Sequence, residues 1–369
     1  RIKYKKFKYL WIGYNMAYSS ISKPSLHFNT VLYTGTDAAK SVTGVGFQPD
    51  FTWIKTRSHG GSSFPHILTD AVRGVNKTLF SNANTAETAN YSNGYLSAFG
   101  TDGFTVTGQD AVSGVGRTYA GWNWKGANGT ASNSNGTTTS TVSVNTAAGF
   151  SIVQYAGASS AKTIGHGLGV VPEMIIVKTY SSGYEWAVYH SGLGHGKNLY
   201  LDSNGGASNT TTFWNNTAPT NQVFSTGGQI IYTNYSGQNY IAYCFASKKG
   251  YSKIGKYTCN QNADGPFVYT GFKPAFLFIK RLGSDPWMML DNRRDGHNVT
   301  EKYLAANATD AEATEGSSVG IDLLSNGFKC RGTSGKLNST NSAVEYIYMA
   351  IASEPLVANV GQSIPATAF

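Results

Sequence analysis

One ten-residue pattern occurs three times in this chain, and it constrains the fold more than any other feature. Gly46-Phe47-Gln48-Pro49-Asp50-Phe51-Thr52-Trp53-Ile54-Lys55 is followed by Gly169-Val170-Val171-Pro172-Glu173-Met174-Ile175-Ile176-Val177-Lys178 and by Gly271-Phe272-Lys273-Pro274-Ala275-Phe276-Leu277-Phe278-Ile279-Lys280. In each copy a Gly stands three residues before the Pro, bulky residues follow, and a Lys comes six residues after the Pro. Proline fixes φ and lacks an N–H, so it belongs at the mouth of a strand. The aromatic and β-branched run behind it suits a strand buried on both faces. The residue after the Pro drifts from Asp to Glu to Ala. A binding site would not treat charge so loosely, so the pattern is structural.

Other recurrences keep step with it. Tyr33, Tyr155 and Tyr257 precede the prolines by 16, 17 and 17 residues, and Tyr119, Tyr240 and Tyr346 follow them by 70, 68 and 72. A second strand opens at His66, Trp186 and Trp287, and a Leu-centred strand follows at Leu79, Leu201 and Leu304. Asp102-Gly103 and Asn326-Gly327 are tight-turn dipeptides. With 43 Gly, 23 Tyr and only 13% charged residues, the chain reads as all-β with many turns. The expected architecture is three tandem β-sandwich units, jelly-roll or concanavalin-like (lectin-like), over residues 28–125, 150–250 and 251–354. Residues 1–27 are expected to be a leader, 126–149 a flexible Gly/Ser/Thr/Asn-rich linker, and 355–369 a C-terminal tail.

The formal charge of +9 misleads. Arg1, Lys3, Lys5, Lys6 and Lys8 supply five of the 29 basic residues, and the rest of the chain carries 24 basic against 20 acidic. That balance, with the basic residues dispersed, argues against nucleic acid as a partner. Residues 1–15, ahead of Met16, read as translation upstream of the true start or as a disordered arm. No apolar run of about 18 residues suggests a spanning helix. Cys244, Cys259 and Cys330 have no metal spacing and read as unpaired thiols. No metal or cofactor is expected, because the His spacing and the Gly-rich stretches match no ligand motif.

Two acid–base patterns deserve weighing. Asp70-Ala71-Val72-Arg73-Gly74 and Asp291-Asn292-Arg293-Arg294 set an Asp three residues before an Arg, and Glu87 and Glu312 each lie 38 residues after their Pro. Glycoside hydrolysis needs two carboxylates flanking one bond. Here the duplication, and its replacement by His190-Ser191-Gly192 in the middle stretch, favour an Asp–Arg pair that fixes a loop. No catalytic residue is expected. The candidate ligand-binding residues are Trp214, read as an exposed aromatic platform for a sugar ring, with Trp186, His190, Asp291 and Arg294.

Phe47-Gln48-Pro49-Asp50 with Trp53-Ile54-Lys55, and Asp70 to Gly74, resemble the first unit of a tail-associated protein family common in marine bacteriophages. Ala263 to Pro274 and Tyr346-Ile347-Tyr348-Met349-Ala350 are similar to its third unit, and Met16-Ala17-Tyr18 to its start. The family is itself a domain of unknown function and supplies no catalytic residue. The resemblance implies a virion protein of the tail or tail fibre, assembled in the host cytoplasm as a homo-oligomer among other virion subunits, with host-surface polysaccharide as a ligand. A ligand-free decoration protein and a glycan depolymerase are the alternatives.

Overall fold

The computed structural model describes residues 19–58, 62–339 and 343–355. The expectations for residues 1–15 and for the C-terminal tail beyond residue 355 lie outside these. The chain is almost entirely antiparallel β-structure.

Three larger sheets share one strand order. In the first, Phe28–Thr34 pairs with Thr118–Trp124, which pairs with Phe51–Thr56, which pairs with Ile67–Asp70. In the second the corresponding order is Phe150–Ala156, Asn239–Phe245, Met174–Thr179, Ala187–His190. In the third it is Ser252–Thr258, Glu345–Pro355, Phe272–Arg281, Met288–Asp291. A smaller antiparallel sheet goes with each. Lys40–Thr43, Gly103–Val106 and Leu96–Gly100 make the first, and Lys162–Gly165 with Val223–Thr226 the second. Asp264–Tyr269, Gly327–Arg331 and Gly320–Leu324 make the third.

The repeated pattern is the buried middle of each large sheet. Every residue of Phe51–Thr56 and of Met174–Thr179 is buried. Side chains alternate across a strand, and here both faces have a core to enter. Phe51 and Trp53, Met174 and Ile176, and Phe276 and Phe278 all point into one central cluster shared by the three sheets. Ile54, then Ile175 and Val177, then Leu277 and Ile279, enter three separate outer clusters. A continuous apolar run is what a two-faced strand requires.

The three glycines of the pattern are explained by backbone conformation. Gly46, Gly169 and Gly271 have φ of +87°, +70° and +84°, a region that L side chains rarely adopt. Pro49 and Pro172 stand just ahead of their strands, as expected. Pro274 instead lies inside Phe272–Arg281, at a register shift against Glu345–Pro355. A bulge is where a strand tolerates proline.

Each large sheet also carries a stacked cross-strand tyrosine pair. Tyr33–Tyr119, Tyr155–Tyr240 and Tyr257–Tyr346 lie 4.9, 5.2 and 4.9 Å apart. Their hydroxyls donate to carbonyls of one short segment in each case: Val112 and Asp110 of the helical turn Asp110–Ser113, Thr233 and Ile231, and Leu337 and Gly335. These buried phenols find acceptors, as buried phenols must.

Two expectations are corrected. Residues 126–149 are not a flexible linker, since Ala131–Asn133 and Ser140–Asn145 extend the second large sheet. Val142 is buried and Val144 partly so, both against the second outer cluster. The alternation of β-branched residues outweighs a composition that resembles a tether. The Leu-centred strand of the second stretch is registered on Leu199, not Leu201. Leu199 pairs with Val188 as Leu304 pairs with Met289 and Leu79 with Leu68.

Residues 19–125 expressed alone would expose Phe28, Phe51, Trp53, Trp122 and Trp124. We expect that fragment to bind ANS and show no sharp thermal transition, while the full chain melts as one cooperative unit. A folded monomeric fragment would show the central cluster to be dispensable.

Candidate functional site

Of the residues singled out from the sequence, Trp186, His190, Asp291 and Arg294 lie at the seams where the three large sheets meet, and Trp214 lies apart in the second outer cluster. At each of the three seams the same kinds of bond cross at matching positions. A backbone N–H crosses first: Glu87 donates to the Tyr180 carbonyl, Ala207 to Leu282 and Glu312 to Arg57. A ring N–H crosses next. Trp186 Nε1 donates to Phe80 O at 2.9 Å, Trp287 Nε1 to Tyr200 O at 2.9 Å, and His66 Nε2 to Ala305 O at 3.0 Å. Trp186 is therefore a seam residue with its ring buried, and no part of a ligand rim.

The lysine that closes each ten-residue pattern crosses too. Lys55 Nζ donates to Thr309 O, Lys178 Nζ to Asn84 O and Lys280 Nζ to Asn204 O, at 3.1, 2.9 and 3.3 Å. Each also reaches a carbonyl of its own stretch: Thr56, Tyr184, and both Arg281 and Gly283. Burial pulls Lys55 down to about 7 and Lys178 and Lys280 down to about 8. Carbonyl oxygens are the acceptors named for all three ammonium groups. These lysines hold loops across the seams.

The Asp–Arg patterns form the inner layer. Arg73 Nε donates to Asp70 Oδ2 at 2.6 Å, and Arg294 Nε to Asp291 Oδ2 at 2.6 Å, with all four side chains fully buried. Each Asp also accepts from the backbone N–H of its Arg, and each Arg donates back to a strand carbonyl, Leu68 or Met289. Glu87 and Glu312 are bound by the same arginines, and Glu312 additionally by a two-toothed contact from Arg57. Each Asp takes one bond across the seam. Tyr243 Oη donates to Asp70 at 2.8 Å and Trp122 Nε1 to Asp291 at 3.1 Å. Asp291 and Arg294 therefore lie inside the molecule, with every strong donor or acceptor already committed, and offer nothing to a ligand.

His190 explains why the middle stretch departs from the pattern. The position across its seam that holds Trp122 or Tyr243 elsewhere is Met349, by the pairings Trp53↔Trp122, Ile176↔Tyr243 and Phe278↔Met349. Methionine has no donor for a buried carboxylate. An imidazole fits: its Nε2 donates to Tyr348 O at 3.3 Å and its Nδ1 accepts from Gly192 N at 3.0 Å. Burial lowers its pKa to about 4.

Trp214 is corrected as well. It is 1% exposed, packed against Tyr189 in the second outer cluster, so it presents no platform. The polar run Asn215-Asn216-Thr217 concealed it, because the ring turns inward while its neighbours stay out. Its Nε1 has no hydrogen-bond partner among the described residues.

Open surface with mixed chemistry lies elsewhere, on the small sheet of the third stretch. A cleft of about 560 Å³ there is lined by Val299, Glu301, Ser317, Asp322, Arg331 and Thr333. A second, of about 220 Å³, lies between the large-sheet strand Phe272–Arg281 and the residues 292–300, lined by Lys273, Asn292, His297, Asn298 and Leu323 among others. Among the described residues no cluster of His, Cys, Asp or Glu is placed to hold a metal ion, and no helix is long and apolar enough to cross a membrane. Cys244, Cys259 and Cys330 are all buried.

Two measurements test the inner layer. Asp291→Ala strands the buried Arg294 and should cost about 3–5 kcal/mol in urea unfolding, part of it recovered by adding Arg294→Leu, the residue type at the matching Leu193. For His190 the folded state binds fewer protons than the unfolded state between about pH 4 and 6.5, so its contribution is lost as pH falls through that window. The stability gap between the parent and His190→Gln should therefore shrink by about 2–3 kcal/mol from pH 7 to pH 4.5. A constant gap would mean that His190 is not buried neutral.

The family model described as Domain of unknown function (DUF7483) matches residues 23–355. No curated protein and no solved structure matches the chain.

Proposed function

We propose that this chain, which belongs to the Domain of unknown function (DUF7483) family, is a non-catalytic structural protein of a bacteriophage virion, part of the tail or its fibres, that meets a host-surface glycan. In this reading three tandem copies of one β-sandwich close into a rigid block. The observation that carries it is the recurrence of one set of cross-seam bonds at three seams, through Lys55, Lys178 and Lys280 and through His66, Trp186 and Trp287. That arrangement spends its polar groups on rigidity. The two acid pairs weighed from the sequence, Asp70 with Glu87 and Asp291 with Glu312, are bound by buried arginines, which leaves neither carboxylate of a pair free to protonate a leaving group.

The phage setting rests on the resemblance of Phe47 to Lys55, Asp70 to Gly74 and Ala263 to Pro274 to a tail-associated family. A rigid block repeated through homo-oligomerisation would raise weak glycan contacts to useful avidity. Its other partners would be neighbouring virion subunits, and it would assemble in the host cytoplasm.

Mass spectrometry of purified particles from a phage carrying this gene should find the chain in the virion. The purified protein should release no reducing ends from host polysaccharide. Absence from particles would overturn the virion assignment, and release of reducing ends would overturn the non-catalytic one.

A further inference from the structure

The small sheet of the third stretch differs in chemistry from its two counterparts, and the registers allow a position-by-position comparison. Phe267 pairs with Lys329, Val268 with Phe328 and Tyr269 with Gly327. In the first small sheet Ser41 pairs with Thr105, Val42 with Phe104 and Thr43 with Gly103. In the second Thr163 pairs with Ser225, Ile164 with Phe224 and Gly165 with Val223. The inward positions are alike in all three, an aliphatic residue opposite a Phe. The positions on the opposite face are Ser41 and Thr43, then Thr163 and Gly165, the latter covered by Asn133, then Phe267 and Tyr269. Only the third places aromatic rings there, and they are 45% and 55% exposed.

These rings belong to an ordered face. Successive outward residues on a strand stand roughly 7 Å apart, so Phe267 and Tyr269 are neighbours. A Cβ at Gly327 would lie 3.0 and 3.1 Å from Cε2 and Cζ of Phe267, so the Phe267 ring lies over the glycine and is seated against the sheet. Beside them Lys329, Arg331, Asp264 and Asp322 form one ion network: Lys329 to Asp264 at 3.1 Å, Arg331 to Asp322 at 2.7 Å, and Arg331 to Asp264. Two cations and two anions cancel. Asp322 and Arg331 also line the adjoining cleft.

We infer that this face binds a neutral oligo- or polysaccharide, with Phe267 and Tyr269 as the stacking surface and the ion network and cleft supplying hydrogen-bond donors and acceptors. Seated rings stack on a ligand at low entropic cost, and a few fixed polar groups orient it. The network's charges cancel and Glu301 of the cleft adds an anion, so an acidic polysaccharide meets no net attraction. A protein partner is a poorer fit, since Lys and Asp are depleted at interface centres and Lys329, Asp264 and Asp322 sit beside these rings. The inference rests on the glycan-contacting part of the proposed function and names the surface responsible.

The test uses the full chain and a variant, Phe267→Ser with Tyr269→Thr, that installs the side chains of Ser41 and Thr43 at the matching positions. Affinity electrophoresis against dextran, β-glucan, galactan and mannan, with alginate as the acidic comparator, reads binding, and the thermal midpoint confirms folding. The parent should bind at least one neutral polymer, and the variant about tenfold or more weakly with an unchanged midpoint. Equal binding by parent and variant overturns this surface and leaves glycan contact standing. No neutral polymer bound by the parent overturns both. Binding of alginate alone, or a change in oligomeric state between parent and variant without any neutral-glycan binding, also overturns the inference.

Discussion

The structure depends on an apolar cluster that no single sheet can bury. Phe28, Phe51, Trp53 and Trp124 come from the first large sheet, Phe150, Ile176 and Tyr243 from the second, and Phe276, Phe278 and Met349 from the third. Rings from different sheets meet directly: Phe51 stacks on Tyr243 at 4.3 Å, Phe28 lies 5.3 Å from Phe276, and Trp53 meets Phe278 edge-on at 6.0 Å. Removing apolar surface of this extent from water is the dominant favourable term in folding. Each sheet needs the other two, although each has an outer cluster of its own.

Polar groups then define how the sheets sit around that cluster. Apolar packing alone is non-directional. Crossing lysines, ring N–H groups and backbone N–H groups supply direction, because each buried donor left without its carbonyl would carry a desolvation penalty. The inner Asp–Arg pairs serve the same end, with Tyr243 and Trp122 completing the hydrogen-bond set of Asp70 and Asp291. Where the partner across the seam becomes Met349, the carboxylate becomes His190. The seam chemistry thus varies with what the neighbouring strand can donate.

Much of the fold was legible because it is local. Period-two patterning, Gly at positive φ and Pro near a strand mouth are properties of a few consecutive residues. The Asp–Arg pairs at three-residue spacing were legible as loop-fixing elements for the same reason. The ligand-binding residues were not. Trp186, His190, Trp214, Asp291 and Arg294 look like a polar aromatic rim when read along the chain, and all five are buried. The partners Phe80, Tyr348 and Trp122 lie 106, 158 and 169 residues away in sequence, and Trp214 packs on Tyr189 of the strand Ala187–His190. Composition also misled at residues 126–149, where Ser, Thr and Asn form strands because a paired edge was waiting for them.

The pattern that recurs at Gly46, Gly169 and Gly271 shows where the division falls. The sequence by itself determined that each copy is a strand with an apolar run, a glycine that only a left-handed backbone requires, and a closing lysine. Tertiary structure alone decided what those features face. One side of each run enters a core common to three sheets, the other side enters a core of its own, and the lysine crosses to a carbonyl of a neighbouring stretch. It also decided that Phe267 and Tyr269, alternating with a buried Val268, stand outward where Ser41 and Thr43 stand in the first small sheet. Burial is a relation between distant parts of the chain, and only the folded packing shows which face of a strand is covered.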